Sequence, residues 1–226
     1  IVQAKGLTQA AALLSDIMMP TPSAVLQAMN LLSQGCDGEC GIGDLVAVDV
    51  GGATTDVYSI ADGMPKEGGT VYKGLPEPYV KRTVEGDIGM RYSIGGIVEA
   101  ASLKKVASLA GLTPERAQAL IDDLAEHTEK VPDSEETERL DYALACWACE
   151  TAARRHAGYM EETYNMTGKV FVQTGKDLRT VRQMVVTGGS LIHTKCTGEI
   201  ASHAFYDPAD PMSLRPIKAR VLVDRR

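Results

Sequence analysis

The segment Asp49-Val50-Gly51-Gly52-Ala53-Thr54-Thr55-Asp56 constrains this chain more than any other. Leu45–Val50 is short, apolar and Val-rich, as a buried strand requires, and residues 54–60 resume with β-formers. The break at Gly51-Gly52 predicts a β-hairpin. A plain hairpin accounts for the glycines but not for the two aspartates and two threonines around them. Small residues let backbone N–H groups approach a phosphate chain, so Gly51, Gly52 and Ala53 are candidate phosphate binders, and Thr54 and Thr55 add hydroxyls. Asp49 falls at the strand end. There a carboxylate can hold a Mg²⁺-bound water or orient an attacking one, which makes it the candidate catalytic residue. A bare carboxylate repels phosphates, so the pattern makes sense with a cation between them.

Around this hairpin the chain reads as α/β. Thr21-Pro22 predicts a helix start, with Thr21 as N-cap, an apolar face of Val25, Ala28, Met29 and Leu32, and an end at Gly35. Residues 68–84 read as a third strand with loops, since Pro76 and Pro78 interrupt them. After Gly86 the pattern turns helical. One stripe holds Leu103, Val106, Ala107 and Ala110. A second helix is capped at Thr113-Pro114, with Ala117, Leu120, Ile121 and Leu124 inside, and a third carries Leu140, Ala143, Leu144 and Trp147 to about Gly158. Strands follow near 170–173, at Gln183–Thr187 and at Arg220–Val223, with loops elsewhere after residue 200. Strands, then helices, then a strand entering a Gly-Gly turn suit one α/β domain with a mixed sheet. No boundary into two domains is visible.

Composition removes some functions. The net charge of −7 argues against a broad nucleic-acid face, and Arg154-Arg155 and Arg225-Arg226 are too short to be basic patches. No run approaches the roughly 18 apolar residues that span a bilayer. Five cysteines in a chain of 226 residues do not suit a secreted disulfide scaffold, so a cytoplasmic setting is expected. Cys146-Trp147-Ala148-Cys149 lies inside a helical pattern, where core packing is the plainer reading. With Cys36 and Cys40 it could in principle form a four-cysteine zinc or iron–sulfur site. The four histidines, His127, His156, His193 and His203, show no metal-ligand spacing. No Gly-x-Ser-x-Gly elbow occurs.

The motif Asp-x-Gly-Gly-x-Thr-x-Asp resembles the second phosphate motif of the actin, Hsp70 and sugar-kinase superfamily. Asp49, Gly51, Gly52, Thr54 and Asp56 match it, and Ala53 stands where a third glycine is usual. Further on, Val185-Val186-Thr187-Gly188-Gly189-Ser190 resembles that superfamily's adenosine motif, although any strand-to-helix turn can read this way. Cys149-Glu150-Thr151-Ala152-Ala153-Arg154 is similar to the Hsp70 helix that offers a Glu to the ribose and an Arg to adenine. Glu150 and Arg154 share one helical face, and a solvated ion pair is the plainer reading. Glu85 and Asp87 flank Gly86 in a region that lines the superfamily's cleft. Either could meet Mg²⁺ through water, or Asp87 could instead cap the following helix.

A narrower resemblance covers nearly the whole chain. Met19-Pro20-Thr21-Pro22, Gly43-Asp44-Leu45, Arg82-Thr83-Val84-Glu85-Gly86-Asp87-Ile88-Gly89-Met90-Arg91, Arg155-His156-Ala157-Gly158, Gln173-Thr174-Gly175-Lys176-Asp177-Leu178 and Ser213-Leu214-Arg215-Pro216 resemble the glutamate mutase accessory family, called GlmL or MutL. It is unrelated to the mismatch-repair protein of that name. The resemblance implies an actin-like, ribonuclease H-like ATPase domain with a mixed sheet flanked by helices, taking ATP or ADP with Mg²⁺. It also implies a chaperone-like role toward an adenosylcobalamin-dependent aminomutase of the glutamate mutase or ornithine aminomutase type. The first phosphate motif is missing and the chain opens on Ile1 rather than Met. The whole of 1–226 is therefore expected to be the second lobe of a two-lobed protein, with its own N-terminal lobe as a partner and ATPase activity only in the full-length form. The alternatives are a small-molecule kinase of the same fold and a nucleotide-binding scaffold without catalysis.

Overall fold

The computed structural model describes residues 19–166 and 168–224. Helix α1 (Thr21–Gln34) leads into a small hairpin of β1 (Gly35–Cys36) and β2 (Glu39–Cys40). Then come β3 (Leu45–Val50), β4 (Thr55–Ile60), β5 (Thr70–Lys73) and β6 (Val80–Glu85). Four helices follow: α2 (Ile94–Ala101), α3 (Leu103–Ala110), α4 (Pro114–Glu126) and α5 (Glu135–His156). The chain closes with β7 (Tyr159–Asn165), β8 (Gly168–Thr174), β9 (Gln183–Thr187), α6 (Gly189–Ile192), α7 (Thr197–Ser202) and β10 (Arg220–Val223).

The main sheet has the order β10-β9-β3-β4-β6. Strands β10, β9 and β3 run parallel, and β4 is antiparallel to both β3 and β6. The hairpin expected around Gly51 is present, in register from Leu45 opposite Ile60 to Val50 opposite Thr55. Side chains of β3 alternate between faces. Val46, Val48 and Val50 enter a large core with α2, α3, α4 and α5. Leu45 and Ala47 enter a smaller one with Tyr58, Ile60, Val185 and Met29 of α1. Both faces are thus covered, and β3 is buried along nearly its whole length. A second sheet, β5-β8-β7, mixes one parallel and one antiparallel pair. The molecule is an α/β protein with mixed sheets flanked by helices.

Thr113 caps α4 as expected, accepting from the N–H of Arg116 (3.2 Å), and the four apolar residues expected on its inner face are buried. Four expectations need correction. Thr21 is the first helical residue of α1 rather than its cap, because the extended φ and ψ of Pro20 already place the cap one residue earlier. Residues 68–84 form two strands in different sheets, since the Pro76–Pro78 stretch turns the chain between them. Asp87 does not cap a helix: residues 86–93 are a strap packed under the hairpin, and α2 starts only at Ile94. Strand β7 falls in a stretch given no element in the sequence reading, because Glu161 and Glu162 interrupt any apolar pattern.

Candidate functional site

Parallel neighbours β3 and β9 end side by side, with Asp49 in register with Thr187. Ligands of open α/β sheets gather in the crevice outside such strand ends. At the end of β3 the N–H of Gly51 closes the turn by donating to the carbonyl of Thr54 (2.9 Å). The turn is strapped from beneath. The N–H of Met90 donates to Gly51 O (3.0 Å), and those of Arg91 and Tyr92 both donate to Gly52 O (2.9 Å each). Gly89 lies so close to Ala53 that a side chain there would overlap the Ala53 backbone. The turn's carbonyls therefore point into the protein. Gly52 and Ala53 are exposed, and among the described residues their N–H groups donate to no protein acceptor. Two uncommitted N–H groups on an exposed, strapped turn can serve an anionic oxygen.

The threonines divide. Thr55 is fully buried and its hydroxyl donates to Ile88 O (3.0 Å), so it fastens the turn to the strap instead of facing the crevice. Thr54 is half-buried, with its hydroxyl near Asp56 Oδ2 (3.4 Å). Asp56, directly opposite Asp49 across the hairpin, is clamped by Arg82, whose Nε and a terminal nitrogen reach its Oδ1 at 2.7 and 2.6 Å. Asp49 is half-buried and has no hydrogen-bond or ion-pair partner among the described residues. Burial, then the nearby charges of Asp56 and Asp224, raises its pKa above the usual carboxylate range. A half-buried carboxylate without a partner could hold a cation such as Mg²⁺. Among the described residues no group of three or more acidic, His or Cys side chains is arranged to hold a metal by itself. A cation here would need oxygens from a bound phosphate as well as Asp49.

Gly188 sits at the end of β9 with φ 96°, and a side chain on it would collide with the Val50 carbonyl. The glycine lets the two strand ends close against each other. Gly189 is exposed and Ser190 half-buried at the start of α6. Glu150 and Arg154 do share a face of α5, with Arg154 Nε 3.3 Å from Glu150 Oε1. The same Glu150 oxygen is 3.3 Å from the fully buried Arg215, which also holds Ser213 Oγ (3.0 Å). Arg154 opens onto a separate cavity with Gly158, Tyr159, Asp210 and Ser213. Helix α5, which carries Glu150 and Arg154, packs against α6, which carries Gly189 and Ser190, and among the described residues no hydrogen bond or ion pair joins the two pairs. Glu85 and Asp87 are both paired with Arg155 (2.9 and 2.7 Å), which keeps Asp87 below its ordinary pKa.

Arg82 and Asp224 were missed in the sequence. Nothing marks Arg82 before β6 is paired with β4. Asp224 had a signal, since it directly follows the expected strand Arg220–Val223. The cysteines do not converge either. Cys146 and Cys149 are buried in α5, where burial pushes the Cys146 thiol up to about 12 and the Cys149 thiol higher still. Cys36 pairs with Glu39 and Cys40 with Gly35, so the two thiols project from opposite faces of the hairpin. Of the histidines, His156 is fully buried, and among the described residues none joins a group of three or more side chains that could hold a metal. Arg225-Arg226 lie outside the described residues.

Fold and site define an α/β protein with an acid-flanked, glycine-rich turn at the centre of a mixed sheet. All 226 residues match the family model described as MutL protein. The chain is 44% identical over 225 residues to "Protein MutL" of Clostridium tetanomorphum. It therefore belongs to the MutL family, the glutamate mutase accessory proteins. The match covers 100% of this chain and 49% of that relative, so the chain spans about half the length of the curated protein it matches. No helix among the described residues is long and apolar enough to cross a membrane.

Proposed function

We propose that this chain is the actin-like lobe of an ATP-dependent, chaperone-like protein that reactivates an adenosylcobalamin-dependent aminomutase. The observation that carries this reading is the turn Gly51–Thr54, with uncommitted N–H groups at the exposed Gly52 and Ala53 and the partnerless Asp49 at its root. Family membership supports the accessory role, and the mixed sheet flanked by helices is the architecture that an actin-like lobe requires.

In this reading Gly52 and Ala53 donate to the terminal phosphates of ATP, and the Thr54 hydroxyl adds a third donor. Asp49 would hold Mg²⁺ through water, and the cation would neutralise phosphate charge when bound. Asp49 also orients the attacking water by accepting its hydrogen bond. Arg82 draws the charge of Asp56 away from Asp49. Gly189 and Ser190 line the neighbouring strand end. The strap from Ile88 to Tyr92 resists collapse of the turn, so the donors are in place before the nucleotide arrives. A nucleotide drives domain movement only by binding one state better than another, so work on the mutase requires the rest of the full-length protein.

The test is Mg·ATP hydrolysis by the full-length protein, wild type and Asp49→Asn, with and without a B12-dependent aminomutase. Asparagine keeps the size and removes the charge. The expected result is a loss of about two orders of magnitude in the variant, and a wild-type rate that rises when the mutase is added. An unchanged rate in Asp49→Asn would reduce the turn to a plain hairpin.

A further inference from the structure

We propose that the cavity between the C-terminal end of α5 and the segment 207–215 binds a free α-amino acid by its carboxylate and its ammonium group. None of the lining residues belongs to the Gly51–Thr54 turn or to the strap beneath it, so the proposal stands apart from the phosphate reading. The cavity has a volume of about 270 Å³, just below the roughly 300 Å³ at which pockets for drug-sized ligands begin, and this suits a small ligand. Arg154 of α5, Gly158 and Tyr159 at the entry to β7, and Asp210 and Ser213 line it. Its walls are tied to each other. The N–H of Leu214 donates to Gly158 O (2.9 Å) and that of Met160 to Met212 O (2.8 Å), with a β-bridge between Tyr159 and Ser213.

The charges around the cavity balance without bonding one another. Arg154 Nε and Arg215 Nη1 share one oxygen of Glu150, each at 3.3 Å, so a single carboxylate serves two guanidiniums. Arg215 is fully buried behind the Ser213 wall. Its Nε holds Ser213 Oγ (3.0 Å), and its Nη2 has no hydrogen-bond partner among the described residues. Arg154 is exposed, and its terminal nitrogens make no hydrogen bond among the described residues. The second carboxylate, Asp210, comes no closer than 3.8 Å to Arg215 Nη2, which is beyond hydrogen-bonding reach. A simple anion would be drawn to Arg154 and repelled by Asp210, and a simple cation the reverse. An α-amino acid carries both charges on groups joined by one carbon. Its carboxylate meets the guanidinium fork of Arg154 while its ammonium meets Asp210. Tyr159, 45% exposed, borders the cavity and gives the ligand's side chain an aromatic face.

Thermal melts of the full-length protein with each of the twenty standard L-amino acids test this, followed by calorimetry on the one that stabilises most. Its amide, which lacks the carboxylate, and its deamino acid, which lacks the ammonium group, serve as half-ligands. We expect at least one amino acid to raise the melting temperature, and each half-ligand to bind at least about tenfold more weakly. Arg154→Gln and Asp210→Asn alter side chains that are 44% and 43% exposed, so the fold is retained. Each should weaken the amino acid about tenfold. Arg154→Gln should also weaken the deamino acid and spare the amide, and Asp210→Asn the reverse, a pattern that a merely structural role would not give. No stabilisation by any of the twenty overturns the proposal. So do half-ligands that bind as well as the whole, or variants that leave its affinity unchanged. Competitive displacement by adenosine would assign the cavity to the nucleotide and would overturn it too.

Discussion

His156 is wholly buried, with Nδ1 2.7 Å from Thr83 Oγ1 and Nε2 without a partner among the described residues. Burial, then the charges of Lys81 and Lys176, pushes its pKa well below the ordinary histidine range. The sign of the consequence follows from linkage. Below about pH 6.5 the unfolded chain takes up a proton that the folded chain refuses, so this contribution to stability is lost as pH falls. Between pH 7.5 and 5.5 it amounts to at most about 1.4 kcal/mol. Urea midpoints of wild type and His156→Gln at both pH values check this, and the variant should show the smaller acid loss. Equal losses would assign the acid sensitivity to other groups. At this scale the sequence was legible where chemistry is local. Asp49 and the Gly51–Ala53 turn are read from eight consecutive residues. Glu150 and Arg154 show the limit, because helical spacing correctly put them on one face but could not reveal Arg215, which meets Glu150 from a distant part of the chain.

Helices α2 and α3 are separated by one residue, Ser102, with φ 78° and ψ 140°. That backbone region is open to glycine and strained for a residue with a Cβ, at about 1–3 kcal/mol. Glycine would relieve the strain and add freedom to the unfolded chain, so Ser102→Gly should gain about 1 kcal/mol net. The reverse holds at Gly188. Its φ is also positive, and a Cβ would overlap the Val50 carbonyl, so Gly188→Ala should cost roughly 2–4 kcal/mol. Thermal melts of both variants decide this, and a destabilised Ser102→Gly would remove strain from the account. Legibility at the level of elements follows burial. Strands β3 and β9 are buried along most of their length, and their apolar runs made them plain. Strand β7 is exposed at all but Met160, so no pattern announced it. The break at Ser102 was hidden for another reason. Serine is an ordinary helix neighbour, and only the backbone conformation reveals the turn.

The two sheets of the molecule meet around Lys176, which is only 1% exposed. Its ammonium donates to Tyr79 O (2.8 Å), beside the start of β6, and to Ser59 Oγ (3.2 Å) in β4, while its own backbone follows directly from β8. Gly63 packs so tightly on the lysine stem that a side chain there would collide with it. Composition and periodicity cannot signal such a junction, since a lone lysine after Thr174-Gly175 reads as a loop residue. Burial, then the charge of Lys81, lowers its pKa to about 8, against 10.5 in an exposed lysine. The folded chain therefore sheds this proton between about pH 8 and 10.5 while the unfolded chain keeps it, so stability rises with pH across that window. The full gain is at most about 3 kcal/mol. Below pH 8 the folded protein carries the cost of a buried charge, offset in part by two hydrogen bonds and by the carboxylates of Glu77, Asp44 and Asp62. Lys176→Met removes that cost along with the two hydrogen bonds, and it also abolishes the pH response. Chemical unfolding at pH 7.5 and 9.5 should show wild type gaining stability at the higher pH relative to Lys176→Met. Parallel behaviour of the two proteins would mean that the ammonium is solvated in solution and that the junction opens more readily than its packing implies.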